Sequence, residues 1–187
     1  MANLQLTHAP ILNSSAQLLI LPVNTAGTLL DPVLTRTKTL FPDNYQRYYR
    51  ACRDGSLAIG SCLLHKRSLE QTGLGASSSG NLPSYIANLV ISNHPYHPPR
   101  SRWLNAALLD LQQQLLPLIR YQGIRRAALL ARPLVFNNPQ DQASNNANLL
   151  PLDWYTETLP LLTEQLQDLP KLRIDIHLPK DIAIYSQ

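Results

Sequence analysis

Residues 17–27 read QLLILPVNTAG. The run from Gln17 to Pro22 is short and apolar, the pattern of a strand buried on both faces. Val23-Asn24-Thr25-Ala26-Gly27 follows as a turn. Asp31-Pro32 then offers a helix N-cap with proline at the first helical position, where its missing N–H costs nothing. A helix through Leu40 is predicted, ended by Phe41-Pro42, because a residue before proline avoids the α region. Strand, loop and helix in that order open an α/β unit.

Working outward, Asp43 is predicted to cap a second helix from Asn44 to Arg53, closed by Asp54-Gly55. Ala58 to Lys66 reads as a strand, residues 68–83 as a loop containing GLGASSSG (73–80), and Tyr85 to Ile91 as another strand. Residues 93–102 carry three prolines and two histidines and read as irregular. From Ser101, a stripe of Trp103, Ala107, Leu108, Leu111, Leu115 and Leu118 predicts a long amphipathic helix. Pro117 is expected to bend or end it near its last turn. Arg126 to Ala131 reads as a strand and 137–148 as a polar loop. A last helix runs from its cap, Asp153, to about Leu166. Lys171 to Leu178 alternates polar and apolar residues as a half-exposed strand does. The alternation predicts one α/β domain over residues 1–187, with a sheet covered on both faces. Ligands of such sheets gather at the carboxyl ends of strands. The loops after Pro22, Ile91 and Ala131 are therefore the places to look for function.

The chain of 187 residues is 44% hydrophobic, enough for a core, and carries 16 basic against 12 acidic residues. A net charge of +4 permits a phosphate-bearing partner without requiring one. No apolar run reaches the ~20 residues of a membrane helix, and the first residues do not read as a signal peptide. A cytoplasmic location without membrane association is the expectation. Cys52 and Cys62 match no metal or redox spacing and read as structural thiols.

Within the candidate loops, Asn24 can orient a hydroxyl or water, since its amide both donates and accepts. Gly27 can permit close backbone approach. The same residues also fit an ordinary turn. The helix from Pro32 points its N-terminus at this crevice, although the proline removes one donor. GLGASSSG lacks the Lys-Ser/Thr and helix context of a phosphate loop. His94 and His97, three apart, lack further ligands nearby, and a stiffened surface loop is preferred to a metal site. Tyr96 can stack on a base or pack on the fold. No metal and no cofactor is assigned, and no nucleophile motif appears.

The order of Val23-Asn24-Thr25-Ala26-Gly27, with sixteen residues between Asn24 and Phe41, then FPDNYQRYYRACRDGSLAIG (41–60), resembles macro domains, in particular those of DNA ADP-ribosyl glycohydrolase antitoxins. YIAN (85–88), Ser101-Arg102, Gly123-Ile124-Arg125 and Leu152-Asp153-Trp154 are similar to later parts of the pattern. The resemblance spans roughly residues 16–167. It implies a three-layer α/β/α sandwich with a mixed central sheet and a crevice for ADP-ribose. Asn24 would be the ribose-contacting, catalytic candidate, with Val23, Thr25, Gly27, Ser92 and Asn93 as ligand-binding neighbours. Two departures matter. The first loop continues as Thr28-Leu29-Leu30-Asp31-Pro32 and the second phosphate loop is replaced by residues 132–151, both without glycine. In the glycohydrolases that the chain resembles, a lysine after the YIAN-like strand takes part in removing ADP-ribose from a DNA base; here that position falls on Ser92, with no lysine nearby. Arg132 or Asn137 would then supply replacement phosphate contacts.

Two classes of function follow. One is a divergent protein recognising ADP-ribose, a related nucleotide or an ADP-ribosylated macromolecule, with hydrolysis of ADP-ribose from DNA or protein weakened, absent or retained. The other is a non-catalytic module binding a protein or single-stranded DNA. The nucleotide-sugar readings require that Leu29 and Leu30 leave the mouth beside Asn24 open.

Overall fold

The apolar run around Ile20 becomes a central strand. The computed structural model describes residues 1–68, 82–135 and 152–185. Its strands are β1 (Asn3–Thr7), β2 (Leu18–Asn24), β3 (Cys62–Lys66), β4 (Tyr85–Ser92), β5 (Arg126–Leu130) and β6 (Arg173–His177). They form one sheet in the order β1-β6-β5-β2-β4-β3. All pairings are parallel except β3 with β4. The sheet is thus mixed, as expected.

Helices cover both faces. Alternate residues of β2 and β4, such as Leu18, Ile20, Ala87 and Leu89, join Leu104, Leu108, Leu111 and Leu115 of α3 (Ser101–Tyr121) and Leu162 and Leu166 of α4 (Leu159–Leu166) in one core. The intervening residues Leu19, Leu21 and Ile86 meet Leu34 and Leu40 of α1 (Pro32–Leu40) and Phe41. Val23 and Val90 meet Tyr48 of α2 (Pro42–Arg53). Because strand side chains alternate faces, two apolar layers form from one continuous run. The result is the three-layer α/β/α sandwich.

Several local expectations are met. Asp31 caps α1, its carboxylate accepting from the N–H groups of Val33 and Leu34. Asp153 accepts from Thr156 N–H and opens the last helical segment, first as a π-turn at Trp154–Thr158.

Others are corrected. Asp43 is not the cap of α2. Phe41 stands at that position, and the buried Asp43 carboxylate instead accepts from His65 Nε2 at 2.9 Å and Arg67 Nη2 at 3.2 Å, fastening α2 to β3 and the residue after it. Pro117 does not end α3, which continues to Tyr121. Leu115, Leu118 and Ile119 bury against the sheet on either side of it, and that packing outweighs one lost backbone hydrogen bond. β3 starts at Cys62 because Gly60 turns the chain at φ +80°. β6 starts at Arg173 because Lys171 has φ +51°. β1 was not expected at all; it pairs with β6 at the sheet edge. The loops read at 73–80 and 137–148 lie outside the described residues.

Candidate functional site

The β2–β4 ladder changes register at its carboxyl end. Val23 pairs with Val90, but Asn24 pairs with Ser92, so one extra residue, Ile91, is accommodated on β4. Such bulges re-aim side chains at the rims of sheets. The ladder then continues into the loop through a hydrogen bond from Thr25 N–H to Ser92 O, 3.1 Å. Tyr48, wholly buried on α2, donates its hydroxyl to Asn24 O at 2.6 Å. Burial pushes the Tyr48 phenol far above its ordinary pKa, which keeps it a donor. The Asn24 amide braces the loop that follows, donating from Nδ2 to Thr28 O at 2.8 Å and accepting from Ala26 N–H at 3.0 Å.

Beside Asn24 opens a cleft of about 350 Å³, within the size range of small-molecule sites. The ends of β2, β4 and β5 all reach it, through Pro22 to Asn24, Ile91 with Ser92, and Arg132 with Pro133. This is where the chain, after filling one side of β2 with β4 and β3, crosses to β5 on the other. Leu29 and Leu30 line the cleft without closing it. Leu29 packs down onto the α1–α2 face, while Leu30 is 48% exposed.

Asp31 is the one carboxylate among the described residues lining this cleft. While its Oδ1 caps α1, its Oδ2 lies 3.1 Å from Arg132 Nε. Arg132 and Val135 also line a second cavity of about 680 Å³, on whose walls stand His8, Pro10, Val33 and His177. Arg132, paired with Asp31, thus lines both cavities.

The residues singled out from sequence divide into three groups. Val23, Asn24, Ser92 and Arg132 meet at the cleft. Thr25, Gly27 and Asn93 adjoin it without lining it. Gly27 has φ +77°, and a Cβ there would stand 3.3 Å from the Tyr49 ring and 3.4 Å from Cys52 Cβ, so its lack of a side chain serves the packing of α2. The Asn93 side chain turns to His97 Nδ1, 3.0 Å away. Asn137 lies outside the described residues. Two cleft residues were missed as such, Asp31, read only as a cap, and His97. A hundred residues separate Asp31 from Arg132, and no periodicity encodes their meeting. The supporting role of Tyr48 had a signal, an aromatic residue inside the motif at 41–60.

The rings of His94 and His97 lie 5.0 Å apart, and His94 Nδ1 accepts from Tyr96 N–H. Among the described residues no group of three or more potential metal ligands forms. Tyr96 is 59% exposed at the cleft wall. Arg100 and Arg102 approach the Trp103 ring nearby. Among the described residues no helix is long and apolar enough to cross a membrane.

No family model matches the chain. It is 30% identical over 136 residues, 72% of its length, to a DNA ADP-ribosyl glycohydrolase of Thermus aquaticus, of which it spans about a third (33%). Among solved structures, the macrodomain of Thermus aquaticus DarG superposes with a TM-score of 0.69 at 26% identity, covering 96% of this chain and 100% of that one. The macrodomain of Mycobacterium tuberculosis DarG gives 0.70 at 20% identity, again covering 96% and 100%. Thermosipho africanus DarTG in complex with ADP-ribose gives 0.69 at 23%, covering 98% of this chain and 43% of that one. These last two likenesses bear on the fold.

Proposed function

This chain is a macro domain by fold, and we propose that its cleft beside Asn24 recognises the ribosyl portion of ADP-ribose or of an ADP-ribosylated macromolecule, with glycosidic hydrolysis weakened or absent. One observation carries the reading: the carboxyl ends of β2, β4 and β5 converge on a single open cleft, with Asn24 and Ser92 paired across the register shift on its wall. Ribose hydroxyls both donate and accept; beyond its bond to Thr28 O the Asn24 amide keeps one further N–H, and Ser92 Oγ, which donates to His94 O, can still accept. The similarity to a DNA ADP-ribosyl glycohydrolase supports the ligand class.

The same cleft is poor in catalytic groups. No lysine stands among its described lining residues, and its one carboxylate is already committed to a cap and an ion pair. A general acid or base must reach the reacting atoms in the right protonation state, and a carboxylate held this way is badly placed for proton transfer. Recognition therefore outweighs turnover.

Thermal unfolding with ADP-ribose tests the first half of the reading. A ligand bound only by the native state stabilises it by about 2.7 kcal/mol at a hundred times Kd. A concentration-dependent rise in Tm is expected; an unchanged Tm at millimolar ADP-ribose and at millimolar adenosine rejects the recognition claim. Incubation with ADP-ribosylated single-stranded DNA tests the second half, and rapid release of ADP-ribose would overturn weakened hydrolysis. A nucleic-acid target finds support in exposed Tyr96 at the cleft wall and in Arg100 and Arg102 nearby, since rings and cations together favour single strands.

A further inference from the structure

The first turn of α1 points its N-terminus toward the cleft, and the N–H groups there would ordinarily suit an anion. In this chain none is left to offer. Pro32 has no N–H, and those of Val33 and Leu34 are taken by Oδ1 of Asp31 at 2.8 and 3.3 Å. The next, that of Thr35, is bonded to the Asp31 backbone carbonyl. Across the cleft, the Arg132 guanidinium is engaged by the other oxygen of the same carboxylate. A single side chain therefore caps a helix N-terminus and engages a cation through its Nε, two partners that a bound phosphate group would use. Arg132 also lines the second cavity.

We propose that Asp31 is a built-in substitute for a ligand phosphate and the residue that sets specificity at this cleft. A ribosyl ligand without phosphate enters with the pair intact. ADP-ribose binds only by displacing the carboxylate from Arg132, against the repulsion of a like charge. The proposal rests on the reading that the cleft takes ribosyl ligands. It deepens that reading by assigning discrimination between pyrophosphate-bearing and phosphate-free ligands to one residue.

Asp31→Asn separates the two jobs of this side chain. Asparagine caps a helix about as well as aspartate but carries no charge. Titration calorimetry on the wild type and this variant, with ADP-ribose and with adenosine as probes, reads the effect. The variant is expected to bind ADP-ribose about tenfold more tightly, because the like charge is gone and Arg132 is released. Its affinity for adenosine should stay within about twofold. Equal ADP-ribose affinity in the two proteins, or an equal gain for both probes, overturns the role of Asp31 while leaving ribosyl recognition standing. Failure of both proteins to bind either probe overturns ribosyl recognition and this inference together. Should Asp31→Asn fold poorly, Asp31→Ser, also a good cap, gives the same comparison.

Discussion

Asp43 shows how a single side chain can hold a helix to a sheet edge. Its carboxylate accepts from His65 and from Arg67, whose side chain is wholly buried and lies 4.5 Å over the Phe41 ring. Burial by itself would raise the pKa of Asp43, but the hydrogen bonds and charges of His65 and Arg67 outweigh it and hold the group below the usual carboxylate range. A native pKa below the unfolded one, about 3.9, means that the unfolded chain takes up the proton first. The stabilisation is therefore full above the unfolded value and is lost as pH falls through the native one. Asp43→Asn is expected to cost about 2–3 kcal/mol at neutral pH, because the buried guanidinium loses its counter-charge. Urea unfolding of both proteins from about pH 7 down to about pH 3 checks this: the gap should narrow below about pH 4. A gap independent of pH would contradict it. The buried thiol of Cys62, pushed up to about 12 by burial and the neighbouring Asp110, has no comparable part in the physiological range.

Among the elements, α1 and α3 mark the reach and the limit of reading from sequence. The start of α1 was legible because Asp-Pro is a local signal: a side-chain acceptor for free N–H groups beside a residue that needs none. The end of α3 was not. Pro117 is a local stop signal, yet its neighbours Leu115, Leu118 and Ile119 gain more by staying in register on the sheet. Tertiary packing decided, and it is invisible in a window of seven residues. β1 was missed for a similar reason. NLQLT is a five-residue edge strand whose pairing partner, β6, is 170 positions away in register. Pro117→Ala restores a donor to the carbonyl of Gln113 and removes the ring clash. It is expected to stabilise the protein by about 1–3 kcal/mol in urea unfolding. Loss of stability in that variant would show that the helix depends on a proline-induced bend.

At the scale of the whole molecule, the site arises from topology. The sheet order brings the ends of β2, β4 and β5 side by side, and only there do residues from three distant segments share a wall. Locating the three loops required only the alternation of strands and helices, so that much was readable in advance. What the loops do to one another was not, because the Asp31–Arg132 pair, the second cavity and the hydroxyl clamp from Tyr48 depend on contacts between segments far apart in sequence. Everything proposed for this site requires that a ribosyl group dock against Asn24 at this strand-end cleft. Backbone amide NMR of the isotope-labelled protein titrated with ADP-ribose tests it most directly. Saturable shift changes are expected at Asn24, Thr28, Ser92 and Arg132, with the sheet edge at β1 unmoved. Shifts confined to surfaces away from these residues, or none at millimolar ligand, would contradict it.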